Sequence, residues 1–465
     1  MTATRNSAWF GTGEKAPRAA RIAALGLGIA LLASGCGGSS GTEGGGDDAA
    51  TETTDAAAAS ALACPESEGG AGEEQGEKGD PAAVPASTTT SPEPLKLGSI
   101  LPTTGTLAFL GPPEIAGVNL AVNEVNEAGG VLGQDITITH RDSGDTTTDI
   151  ATQSVTDLLS QDVSAIIGAA SSGVSKTVIN QITGAGVVQF SPANTSPEFT
   201  DWDDKGLYFR TAPSDVLQGR TLGNYIMECG AQTVGMITLN DAYGTGLQSN
   251  IEETVTAAGG EVVANEMFNT GDSQFSSQVD AVAAAAPDAI VLISFDEAKS
   301  IVPLLTAKGI DPASLFMVDG NTSDYSADLE PGTLEGAQGT IPGPFTGTGF
   351  QEALATVDPA LTSYAYSGES YDAVTLISLA AEAAGSVEGA AIAAELEGVS
   401  KEGTKCFDFA GCVTLLRGGE DIDYDGISGP VSFDSNGDPT EAAIGIYKYD
   451  ADNKPQPSRS EVGQL

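Results

Sequence analysis

Basic residues are scarce in this chain: 19 Lys and Arg stand against 64 Asp and Glu, for a formal net charge of −45. Neutralising a phosphate backbone takes clustered cations, so nucleic-acid binding is excluded. Electrostatic docking on anionic lipid is excluded for the same reason. Histidine is almost missing. His140, inside the alternating stretch DITITHRD, is the only one, so a His-based triad or zinc site has no material. C-x-x-C and P-loop motifs are absent. The stretch DIDYDGISGPVS, from Asp421, opens like a calcium loop, but Ser432 stands where the bidentate Glu belongs and Pro430 interrupts it. No metal, cofactor or enzymatic activity is expected. Long apolar runs are also lacking. Residues 22–33, IAALGLGIALLA, make a run too short to span a bilayer comfortably.

That run has a different use. Arg5, Lys15, Arg18 and Arg21 precede it, and the small residues LASGC follow it. A positive segment, a short apolar segment and small residues make an export signal, expected over residues 1–35. The LASGC end resembles a bacterial lipobox, which implies lipidation of Cys36. The protein is then expected outside the cytoplasmic membrane, attached to its outer face by that lipid. Export makes disulfides plausible for the four remaining cysteines. Cys406 and Cys412 are near neighbours in CFDFAGC and form the expected local bridge, which leaves Cys64 and Cys229.

Residues 36–94 are rich in Gly, Ala, Ser, Thr, Glu and Pro and poor in aromatics. Such a segment cannot bury enough apolar surface to fold and reads as a disordered acidic tether. From Leu95 the pattern changes. LKLGSIL, DITITHRD, VSAIIGA and VVQF read as strands, with apolar residues at helical spacing between them. Strand–helix alternation implies a parallel sheet covered on both faces. After YFRTAPSD the pattern restarts with TVGMITL, EVVANEMF, AIVLIS and SLFMV as strands. The expected fold class is therefore α/β, with two doubly wound lobes: 95–212 plus 340–427, and 213–339 plus 428–465. The chain is expected to cross between them near 211–214, 337–342 and 427–430. A hairpin is expected to turn at Asn436–Gly437.

VVQFSPANTSPEFT carries the functional signal. An apolar strand stops at Phe190 and gives way to small, hydroxyl-bearing and helix-breaking residues. Ligands of open α/β sheets sit outside the carboxyl ends of strands, where backbone N–H groups are free. GAASSGVS, residues 168–175, lies at another such end and opens a helix, which suits a carboxylate.

GAASSGVS, VVQFSPANTSPEFT, YFRTAPSD, DAYGTG and GPVSFDSNGDP occur in an order and spacing that resembles the Leu/Ile/Val-binding family of type I solute-binding proteins, which serve ABC importers. The resemblance covers roughly residues 95–450. It implies a type I periplasmic-binding-protein fold, two lobes joined by a hinge with a ligand cleft between them. It implies that Ser172, with Ser171 beside it, takes an amino acid's carboxylate, together with Thr195. Ala193 would offer a backbone carbonyl to the ammonium, Asp319 would pair with it, and Tyr243 would help close the site. Phe109, Leu110 and Phe295 would stand near the ligand side chain. The implied ligand is a small amino acid, branched-chain foremost, and the implied partner is a membrane permease. A monomer is expected. The alternative is a sensor of amides, urea or another small solute.

Overall fold

The computed structural model describes residues 62–65 and 76–464. The leader expected over 1–35, Cys36 and most of the tether lie outside the described residues. From Leu95, side chains buried on both faces set the architecture. In the first lobe β1 (Lys96–Leu101), α1 (Gly111–Glu127), β2 (Thr137–Asp142), α2 (Ile150–Leu159), β3 (Ala165–Gly168), α3 (Ser172–Gly184), β4 (Val188–Ser191) and β5 (Tyr208–Arg210) alternate as the pattern predicts. Their sheet runs β2-β1-β3-β4-β5 with every pair parallel. Every residue of β3 and β4 is buried, as strands covered by helices on both faces must be.

The chain then crosses to the second lobe. There α4 (Asp215–Glu228), β6 (Thr233–Leu239), α5 (Ala242–Ala257), β7 (Glu261–Phe268), α6 (Ser276–Ala285), β8 (Ala289–Ile293), α7 (Ala298–Ala307), β9 (Leu315–Met317) and β10 (Gln338–Pro342) repeat the design. It returns through α8 (Thr348–Val357), α9 (Ser367–Ala384), α10 (Gly389–Leu396), β11 (Thr404–Cys406), α11 (Phe409–Arg417), β12 (Ile422–Gly426) and β13 (Gly429–Pro430). It ends in the second lobe with β14 (Glu441–Tyr449) and β15 (Pro455–Gln464). The second sheet runs β15-β14-β10-β9-β8-β6-β7, antiparallel only where β14 joins its neighbours.

Two boundaries differ from expectation. β10 belongs wholly to the second sheet, so the second crossing begins after Pro342. Val431 and Phe433 still pack in the first lobe's core, Phe433 edge-on against Phe190 and Phe209. The third crossing therefore follows the turn at 434–438, not residues 427–430. That turn does reverse the chain at Asn436–Gly437, but the long closing hairpin is β14–β15. Part of the expected tether is also ordered. The Gly79 N–H donates to Asp408, Arg417 donates to the Pro85 carbonyl at 2.9 Å, and Ser87 donates to Glu382 at 2.8 Å. Residues 76–94 thus lie along the first lobe, held by polar groups rather than apolar burial. Both disulfides, Cys64–Cys229 and Cys406–Cys412, are formed.

Candidate functional site

Short polar residues follow the strands because helices start there. Ser171 caps α3 by accepting from the Val174 N–H, Ser214 caps α4 through Val216, and Asp241 caps α5 through Gly244. These helix starts face the space between the lobes. The polar segment after β4 answers to the same geometry. Ser191 Oγ accepts from the N–H groups of Ala193 (3.3 Å) and Asn194 (2.9 Å) and donates to the Ala169 carbonyl (2.8 Å). The Asn194 side-chain amide donates to the carbonyls of Ala169 and Ala170 at 3.0 and 2.8 Å. Side chains thus bind the 169–172 and 192–196 loops into one wall.

Arg210 braces that wall from behind. Its guanidinium is fully buried, contacts Asp438 at 2.6 and 2.7 Å, and donates to the carbonyls of Asn194 and Ser196. All its reach is committed, so it is not free to meet a ligand. An anion in the cleft must be met by hydroxyls and helix N–H groups.

The pocket is nearly closed, with a free volume of about 10 Å³, and is walled by Ser171, Ser172, Ala193 and Leu110 of the first lobe and by Tyr243, Phe295 and Asp319 of the second. Leu107, Ala170, Gly320 and Tyr366 complete it. Seven of the nine expected ligand residues therefore meet there. Thr195 does not reach the wall; it is fully buried beneath it, its carbonyl accepting from the Asp215 N–H at 2.7 Å and its hydroxyl beside the Asp215 carboxyl. Phe109 packs against the apolar cluster at the side rather than in the pocket.

Asp319 is the electrostatic centre. It is 5% exposed and accepts from the hydroxyls of Tyr243 (2.6 Å) and Tyr366 (2.7 Å) and from the Gln218 amide (3.0 Å). Burial pushes its carboxyl up, and those three donors push it back. The Gly320 N–H also favours the ionised form, and burial still leaves the carboxyl raised on balance. Tyr243 stacks on Phe295 at 5.4 Å between ring centroids, which fixes both rings. Asp215 and Asp241 lie nearby, Asp215 coupled to Asp319. Burial raises both, Asp241 to about 6. The environment favours a positive group opposite Ser171 and Ser172, with apolar surface between.

Sequence reasoning missed Tyr366 and Gln218. Tyr366 sits just ahead of α9, where nothing in local spacing singles it out. Gln218 is one turn into α4, after the recognised YFRTAPSD. Their roles come from bonds to Asp319 over long sequence distances.

The profile of the family described as periplasmic binding protein matches residues 94–454. The chain belongs to this family. Leu/Ile/Val-binding protein homolog 1 of Brucella suis is 27% identical over 368 residues, covering 77% of this chain and 91% of that protein. The chemotactic signal transduction system substrate-binding protein BasB of Halobacterium salinarum is 23% identical, covering 73% of this chain and 83% of that protein. The branched-chain amino acid transporter substrate-binding protein LivJ from Streptococcus pneumoniae, solved in complex with isoleucine, has a TM-score of 0.66 and 25% identity, covering 80% of this chain and all of that one. The fold is that of type I periplasmic binding proteins, and the role is extracytoplasmic solute binding rather than catalysis.

Proposed function

We infer that this protein captures a small amino acid, branched-chain foremost, between its lobes and delivers it to an ABC importer in the membrane, to which a lipid on Cys36 tethers it. The observation that carries the reading is the opposition of the Ser171–Ser172 helix start to buried Asp319 across one nearly closed pocket. A zwitterion leaving water must recover its hydrogen bonds and charge partners. Ser172 and the N–H groups of α3 serve its carboxylate. Asp319 serves its ammonium through a charge-assisted bond. Leu107, Leu110 and Phe295 offer apolar surface to its side chain. Ligand bridging both walls favours the closed arrangement by domain closure, with 211–214, 343–347 and 438–440 as hinge segments. The likeness to the isoleucine-bound transporter protein supports the ligand class.

A thermal-shift screen against amino acids, amides, urea and aromatic acids tests this. Ligand at a hundred times its Kd adds about 2.7 kcal/mol. Stabilisation by isoleucine, leucine or valine supports the importer reading, and stabilisation only by a ligand without an amine overturns it. The kinship with a chemotactic substrate-binding protein favours a second reading, a sensor that presents its ligand to a receptor. Co-purification with a permease or with a receptor separates the two.

A further inference from the structure

Tyr366 stands between two cavities. On one side lies the nearly closed pocket of about 10 Å³; on the other lies a cleft of about 940 Å³ where the lobes meet beside the second crossing. Its ring is a wall of both. It is 2% exposed and holds its backbone at φ 57°, a left-handed conformation that bulky residues rarely adopt. Such a conformation persists only where its surroundings fix it. The hydroxyl supplies such a fixture by donating to Asp319 Oδ2 at 2.7 Å, from the first lobe to the second. The larger cleft is chemically suited to rings. Phe345 and Tyr447 meet edge to face at 5.1 Å between centroids, and Tyr364, Thr346 and Ser428 share the lining.

We propose that Tyr366 is the partition that sets the length of ligand side chain this site accepts. Held by Asp319, its ring closes the small pocket off from the larger cleft. Without the ring the two spaces join into one elongated site, in which an aromatic side chain reaches Phe345, Tyr364 and Tyr447 and gains ring–ring contacts there. The inference rests on the amino-acid reading above and deepens it by assigning the size limit to one residue.

Calorimetric titration of purified wild type, Tyr366→Phe and Tyr366→Ala with L-valine, L-isoleucine, L-phenylalanine and L-tryptophan tests it, with circular dichroism as the check on folding. Wild type should favour valine and isoleucine. Tyr366→Phe, which keeps the ring, should keep that order. Tyr366→Ala should shift the tryptophan-to-valine affinity ratio toward tryptophan by at least about tenfold, the scale on which pocket volume discriminates side chains. An unchanged ratio in folded Tyr366→Ala overturns the proposal. If that variant does not fold, Tyr366→Leu is judged by the same ratio. If wild type binds none of the four amino acids, it is the amino-acid reading that fails. The partition is then judged by benzoate against biphenyl-4-carboxylate, where Tyr366→Ala must favour the longer acid or the proposal falls.

Discussion

Glu369, on the first turn of α9, is 5% exposed at the edge of the interlobe cleft. Its carboxyl presses on Gly343, where a Cβ would sit 2.3 Å from Oε1. Burial, with Asp372 adding repulsion, pushes this carboxyl up to about 8 from an ordinary 4.5. The folded chain therefore holds a proton that the unfolded chain releases between those two values. Stability from this group is complete below about pH 4.5 and is lost as pH rises through 8. At about 1.36 kcal/mol per pKa unit, the loss approaches 5 kcal/mol above pH 8 and is about 3 kcal/mol at pH 7. Glu369→Gln keeps the volume and cannot ionise. Urea unfolding at pH 5, 7 and 8 should show the variant more stable than wild type, with the gap growing by about 3 kcal/mol between pH 5 and pH 8. A gap that is absent, or the same at both ends, would refute the claim that the buried carboxyl stays protonated.

Other outcomes follow from the same geometry. Asp438→Ala strands the fully buried Arg210 guanidinium and should cost about 3–5 kcal/mol in chemical unfolding, because an unpaired buried charge is worse than none. Replacing both Cys64 and Cys229 with Ser opens a cross-link between residues 165 apart and should cost about 2–5 kcal/mol in unfolding under oxidising conditions. Under reducing conditions wild type should approach that variant.

The alternating strands and helices were legible because burial on both faces leaves near-continuous apolar strands, as in β3 and β8. Ser171, Ser172 and Ala193 were legible because strand ends in such sheets carry the site. Strand β15 was not. Pro455 and Pro457 and its alternating charges argue against a strand, yet it pairs on one side only, where prolines are tolerated. The ordering of residues 76–94 was hidden for another reason: its bonds reach Glu382, Asp408 and Arg417, and no local pattern encodes such partners. Thr195 was placed one layer too near the ligand. The resemblance located its loop, but packing turned its side chain inward toward Asp215.

On the proposed reading, Asp319 receives the ammonium of an amino acid whose carboxylate rests on the start of α3. Calorimetric titration of isoleucine into wild type and Asp319→Asn tests it most directly. Saturable one-to-one binding to wild type is expected, and binding roughly 30-fold weaker in the variant, from the ~2 kcal/mol a hydrogen bond to a charged group contributes. Equal affinity in the two proteins, with both folded, would contradict it.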